Sequence, residues 1–308
     1  MSLPTALRCD RCGALIDVDD RFCEACGSAL HTEDEFDTTR RRVGDATKGA
    51  AVSDRGRVHL RNEDAAAVYL MADADPESLD HLVAVVCDGV SSSVAADIAA
   101  RVAADTAALV LRDPVAVATP SDVMHEAITA ANRAVLTIPW VAAPNRSAPS
   151  CTIVAASVVG GDVSVGWVGD SRAYWIDETE ARRLTRDDSW AEEQISAGLM
   201  SEAEANADPR AHQINAWLGA DAPDDPVHSL EFTAGRPGWL VLCTDGLWNY
   251  VDEADALGEL VRSAAHDDPS PLTIADRLTD VALDAGGHDN ITVAVLVVHD
   301  AAAIEEQQ

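Results

Sequence analysis

Residues 152–176 read Thr152-Ile153-Val154-Ala155-Ala156-Ser157-Val158-Val159, then Val163-Ser164-Val165-Gly166-Trp167-Val168, then Ala173-Tyr174-Trp175-Ile176. β-branched and aromatic residues dominate all three runs, as strands require. The gaps between them hold only three and four residues. Gaps that short join strands as hairpins, because a parallel crossover needs about a dozen residues or more. The stretch therefore predicts antiparallel sheet. Working outward, further strands are expected at 65–70, 82–87, 227–232, 239–244 and 291–298. Helical periodicity marks 93–111, 121–136, 190–197, 252–265 and 271–285, with Ser121 and Asp252 as N-caps. Two helices fall between the second and third strands and two before the last. Antiparallel sheets covered by helices define a layered α+β domain.

The chain has 308 residues and is 47% hydrophobic, enough for a sizeable core. Its formal net charge of −31 argues against nucleic acid or an anionic membrane as partner, since both need a basic footprint. An acidic surface also suits divalent cations, although a generally acidic proteome explains the total charge as well. No run of apolar residues is long enough to cross a membrane, and no signal peptide is visible at the start. Cys87, Cys151 and Cys243 lie singly in apolar stretches, as structural thiols of a reducing cytoplasm do.

Five acidic residues stand in turn-like or strand-end contexts. They are Asp64 in Asn62-Glu63-Asp64, Asp88 in Cys87-Asp88-Gly89, Asp170 in Gly169-Asp170-Ser171-Arg172, Asp245 in Thr244-Asp245-Gly246 and Asp289 in His288-Asp289-Asn290. A carboxylate at the end of a buried strand is costly unless a cation meets it. No Lys or Arg occurs in the apolar runs before Asp88 or Asp245. Carboxylates that converge and share divalent ions solve this problem, and oxygen-only ligation favours Mg²⁺ or Mn²⁺.

Near the start, Cys9-Asp10-Arg11-Cys12 and Cys23-Glu24-Ala25-Cys26 are separated by ten residues. Two such pairs form a tetrahedral thiolate site for one structural Zn²⁺. So short a stretch needs the metal to fold. The expected organisation is a zinc ribbon over 1–30, a polar linker over 31–45, one large domain over 46–300 and a tail over 301–308.

The ordered acidic set resembles the protein phosphatase 2C (PPM) family of metal-dependent serine/threonine phosphatases. The resemblance rests on Ser53-Asp54-Arg55-Gly56, Asn62-Glu63-Asp64, Val86-Cys87-Asp88-Gly89, Ser150-Cys151-Thr152, Val168-Gly169-Asp170-Ser171-Arg172, Leu184-Thr185-Arg186-Asp187, Cys243-Thr244-Asp245-Gly246 and Asp289-Asn290-Ile291-Thr292. Each motif is weak alone, but their shared order is specific. The resemblance implies a four-layer αββα sandwich. It implies that Asp88 bridges two Mn²⁺ or Mg²⁺ ions, that Asp245 and Asp289 bind the first, and that Glu63 and the Gly89 carbonyl bind the second. Asp64 acts beside them, and Asp170 with Asp245 matches a third, weaker site. Asp64, Asp88 and Asp245 are thus the expected catalytic residues. A water held between the metals then attacks phosphorus directly.

Two positions depart from the family pattern. Where the family places a phosphate-binding Arg, this chain has His59, with Arg61, favoured over Arg57, as a neighbouring substitute. Imidazolium binds phosphate without the bidentate geometry of Arg. After Asp88-Gly89 the chain has Val90 where many eukaryotic members have His. The stretch from Asp187 to Gly219 resembles the family's flap. The expected function is hydrolysis of phosphoserine and phosphothreonine in proteins, reversing kinase signalling in the cytoplasm. The competing expectation is a catalytically weak phosphoprotein sensor that docks through its ribbon.

Overall fold

The computed structural model describes residues 40–71, 80–113, 119–223 and 227–299. The ribbon cysteines Cys9, Cys12, Cys23 and Cys26, linker positions 31–39 and the tail 301–308 lie outside the described residues. The chain divides into two units, Met1–Thr39 and Arg40–Gln308, and every described residue belongs to the second.

Two antiparallel sheets make its centre. One contains β3 (Ala65–Met71), β4 (His81–Cys87), β6 (Ile153–Val159), β7 (Asp162–Val168) and β11 (His228–Thr233), in the order β11-β7-β6-β4-β3. The other contains β1 (Arg40–Asp45), β2 (Gly49–Asp54), β8 (Arg172–Asp177), β9 (Ala181–Arg183), β12 (Gly238–Cys243) and β13 (Ile291–Val298), in the order β1-β2-β13-β12-β8-β9. A two-residue ladder joins β5 (Ser150–Cys151) to β10 (Leu218–Gly219).

The unbroken apolar runs are explained by burial on both faces. Along β4, Leu82, Ala84 and Val86 enter the core between the sheets. Their neighbours Val83, Val85 and Cys87 pack against α1 (Ala96–Arg112) and α2 (Pro120–Val135). Along β12, Leu240 and Leu242 face the inter-sheet core. Val241 and Cys243 face α5 (Asp245–Trp248), α6 (Ala254–Asp267) and α7 (Pro271–Asp284). Each fully buried Val or Leu contributes about 1.5–3 kcal/mol. The result is the expected α-β-β-α layering. The buried face of α1 includes seven alanines, which combine high helix propensity with close approach to the sheet.

Several expectations need correction. The folded unit begins at Arg40, inside the span read as linker. Arg40–Asp45 pairs along its whole length with β2, and Arg40 also bonds Asp54, Asp276 and Asp280. Polar side chains hid this strand, because it is an edge strand with one face in water. Only the first of the two short gaps makes a hairpin, between β6 and β7. The second carries the chain from β7 in one sheet to β8 in the other. The N-cap of α2 is Thr119, in a capping box with Asp122, rather than Ser121. Glu253 precedes α6 without a side-chain cap, so Asp252 is not its N-cap. Asp252 instead pairs with Arg172. The short helices α4 (Glu202–Asn206) and α5 were not anticipated.

Candidate active site

Register brings the acidic turns to one end of the sandwich. Ala65 pairs with Cys87, so Asp64 and Asp88 lie side by side at the edge of one sheet. Ile153 pairs with Val168, which places Gly169 and Asp170 at the same end. In the other sheet Cys243 pairs with Val293, and Ile291 with Asp54, which aligns Asp245 and Asp289. Hydrogen bonds then join the two groups. The Thr244 hydroxyl donates to Asp64 Oδ2 at 2.9 Å and accepts from the Thr292 N–H at 3.0 Å. Asn290 Oδ1 accepts from the Glu63 N–H at 2.7 Å, and Asn290 Nδ2 donates to the carbonyls of Arg55 and Arg61.

The Asp88 turn is held from three sides. Its carbonyl accepts from the Thr152 N–H at 2.8 Å, and its own N–H donates to Thr152 Oγ1 at 3.3 Å. Thr152 Oγ1 in turn bonds Ser171 Oγ at 2.8 Å, next to Asp170. The Gly89 N–H donates to the Glu63 carbonyl at 3.1 Å. A Cβ at Gly89 would stand 2.6 Å from that carbonyl oxygen, so the close approach requires glycine. At Gly56, φ is +74° and a Cβ would lie 2.1 Å from the Asp289 carbonyl oxygen.

Burial and mutual repulsion dominate the electrostatics. Burial, aided by the charges of Asp245 and Asp289, pushes the Asp64 carboxyl up to about 8 against the pull of the Thr292 and Thr244 hydroxyls. Burial and Asp289 push Asp245 up to about 6. Asp88 is driven well above the carboxylate range by burial and by Asp64, Asp245, Asp170 and Asp289. Asp170 is driven upward by burial, Asp245 and Asp187, with Arg172 opposing. Such a cluster demands compensating positive charge. Two buried oxygens, Asp64 Oδ1 and Asp245 Oδ1, have no hydrogen-bond partner. Hard oxygen donors left open in this way fit Mn²⁺ or Mg²⁺. Among the described residues, no three acidic, His or Cys side chains close on a single point as they would around an ion.

The expected phosphate residues lie at the rim. His59 Nε2 is 3.3 Å from Asp289 Oδ1. Arg61 shares the same loop, its carbonyl fixed by Asn290. Exposed Val58 and Leu60 flank His59. The flap contains α3 (Trp190–Ser196) and α4 around its own small core of Ala191, Ala205 and Ala211. Its His212 ring lies 5.6 Å from Trp248, three residues after Asp245.

Sequence reading missed the supports. Arg172 is a buried hub whose guanidinium grips Asp187 through two nitrogens and contacts Asp252 and the Tyr174 hydroxyl. It also lies 3.8 Å above the Trp248 ring. The side-chain N–H of Trp248 donates to the Asp170 carbonyl at 2.9 Å. The motif Gly169-Asp170-Ser171-Arg172 contained this residue, but nothing in it signalled burial. Asp54, also within a motif, caps the Gly56 N–H and pairs with Arg40 instead of joining the acidic cluster.

Two stacked antiparallel sheets flanked by helices, with acids converging from both at one end, define the class of architecture. Residues 55–275 match the family model for protein phosphatase 2C, well over half of the chain. The chain belongs to the protein phosphatase 2C family. Residues 6–30 match a zinc-ribbon domain model. The serine/threonine phosphatase stp of Listeria innocua is 28% identical over 79% of this chain and 93% of its own length. The structure of the Ser-Thr phosphatase MsPP from Mycobacterium smegmatis, in complex with cacodylate, is 29% identical. It superposes with a TM-score of 0.60 over 83% of this chain and 100% of that one. The catalytic domain of PstP, solved with two manganese ions, shares the fold at 23% identity and a TM-score of 0.60. That match covers 84% of this chain and 98% of the other.

Proposed function

We propose that this chain hydrolyses phosphoserine and phosphothreonine in proteins, in the cytoplasm, on Ser/Thr kinases or their substrates. The observation that carries this reading is the meeting of Asp64, Asp88, Asp170, Asp245 and Asp289 at one end of the sandwich, with two buried oxygens unpartnered. Two Mn²⁺ or Mg²⁺ ions held there would activate a water and offset charge on the phosphoryl oxygens. Asp88, Asp245 and Asp289, with Glu63 and the Gly89 carbonyl, would be the groups that hold them. Asp64 stands beside them, fixed by Thr244. Asp170 and Asp245 suit a third ion. At the rim, His59 and Arg61 bind and orient the substrate phosphate. Cys9, Cys12, Cys23 and Cys26 would hold Zn²⁺ in a ribbon that serves as a docking element.

The test is the initial rate of phosphothreonine-peptide hydrolysis against Mn²⁺ concentration, for wild type and Asp88→Asn. Mn²⁺-dependent turnover that disappears in the variant is the expected result. No turnover by wild type, with Mn²⁺ binding intact by calorimetry, overturns the enzyme reading in favour of a phosphoprotein-binding module.

A further inference from the structure

Asp188 occupies the root of the flap and contacts three residues through four polar contacts. Its Oδ2 accepts from the Gly169 N–H at 2.8 Å, and its own N–H donates to the Gly169 carbonyl at 3.0 Å. Its carbonyl accepts from the Asn215 N–H at 2.9 Å, which ties the two ends of the flap together. Its Oδ1 lies 2.8 Å from His228 Nε2. The Asp188 side chain is only 14% exposed.

His228 opens the edge strand β11, and its ring stacks on Trp167 with centroids 5.1 Å apart. The Trp167 side-chain N–H donates to the Arg186 carbonyl at 2.7 Å, so the ring under His228 is itself fixed. The loop at Gly169 has little freedom. Its φ is +103°, and a Cβ there would meet Thr152 Cγ2 at 2.6 Å. Thr152 is the residue that holds both backbone groups of Asp88. A shift of Asp188 therefore moves Gly169, and with it Asp170 on one side and the Thr152–Asp88 contact on the other.

We propose that Asp188 and His228 are positioning residues of the acidic site, a clamp that sets the place of the Asp170 loop and thereby the affinity for divalent metal. The proposal rests on the metal-dependent reading above. Neither residue reaches the substrate. Asp188 acts through Gly169, and His228 acts through Asp188. A cleft of about 530 Å³, lined in part by Trp167, Arg186, Asp188 and His228, opens on this side. Solvent thus reaches the clamp without entering the acidic cluster.

The test compares full-length wild type, Asp188→Asn, His228→Ala and His228→Gln. Mn²⁺ binding is read by calorimetry, turnover with a small phosphomonoester, and folding by thermal unfolding. Groups that orient metal ligands typically control affinity by 10- to 100-fold, so His228→Ala and Asp188→Asn are each expected to weaken Mn²⁺ binding about 10-fold. kcat at subsaturating Mn²⁺ falls while KM for the small ester stays put. His228→Gln retains an N–H donor for Asp188 and recovers most of the affinity. The proposal is overturned if the folded variants bind Mn²⁺ as wild type does. It is also overturned if His228→Gln is no better than His228→Ala and affinity only tracks thermal stability. Calorimetry keeps the outcome separate from that of the phosphatase reading, since it needs no turnover.

Discussion

Removing metal should invert the usual pH dependence of a carboxylate-rich protein. Asp245 ionises in the folded protein near 6, against an ordinary value of 3.8. Asp64 does so near 8. A carboxyl raised in the fold is protonated where the unfolded chain is already ionised, so the folded state binds more protons. Stability then falls as pH rises above about 4 and levels off only once the folded values are passed. Asp245 alone, moved from 3.8 to about 6, accounts for roughly 3 kcal/mol at about 1.36 kcal/mol for each pH unit. Asp64 adds to this in the same direction up to about pH 8. For a domain of this size each kcal/mol moves Tm by about 2–4 °C. The metal-free protein should therefore lose at least about 6 °C in Tm between about pH 4 and about pH 8. With saturating Mn²⁺ the carboxylates are held ionised and the slope should vanish or reverse. The assay is calorimetric unfolding across that range in chelator and in Mn²⁺, repeated with Asp245→Asn. The variant controls for the repulsion expected from the net charge of −31. A flat or rising Tm in chelator refutes the reasoning, as does an equal slope in wild type and Asp245→Asn.

Two further outcomes follow from the rim and from the hub. His59→Arg supplies a second N–H for the phosphate at the position beside Asp289 and should raise kcat/KM for a phosphothreonine peptide about tenfold, about 1.4 kcal/mol. An unchanged or lower value places phosphate recognition elsewhere. Arg172→Met leaves Asp187 buried without its bidentate partner, a loss of about 3–5 kcal/mol, and should lower Tm by about 6 °C or more. A change below about 2 °C in thermal unfolding would show that the hub is dispensable.

Much of the fold was legible because its strands are buried on both faces. Eight apolar runs stood out, and all eight are strands within a residue or two of the expected ends. What escaped were elements without that signature. Arg40–Asp45 pairs fully with β2, yet carries three consecutive arginines because its outer edge faces water and α7 acids. The jump from β7 to β8 was indistinguishable from a hairpin, since four residues can turn within one sheet or step to the next. Only the pairing separates the two cases: β7 bonds β6 and β11, whereas β8 bonds β12 and β9.

The acidic set was legible for a different reason. A carboxylate placed directly after an apolar strand violates the rule that governs the rest of the strand, and violations of that kind mark function. The residues that aim those carboxylates violate nothing. Thr244, Thr152 and Asn290 are ordinary strand-end residues until register sets their oxygens against Asp64, the Asp88 turn and the Glu63 N–H. His228 lies 40 positions from Asp188, in a different element, and reads as a surface histidine. Such supports depend on long-range pairing, which single-sequence patterns do not encode. The same logic explains why the site tolerates repulsion among five acids. The surrounding threonine and asparagine bonds, the glycine approaches and the Arg172 hub hold the geometry, so relief of the repulsion calls for cations and not for rearrangement of the chain.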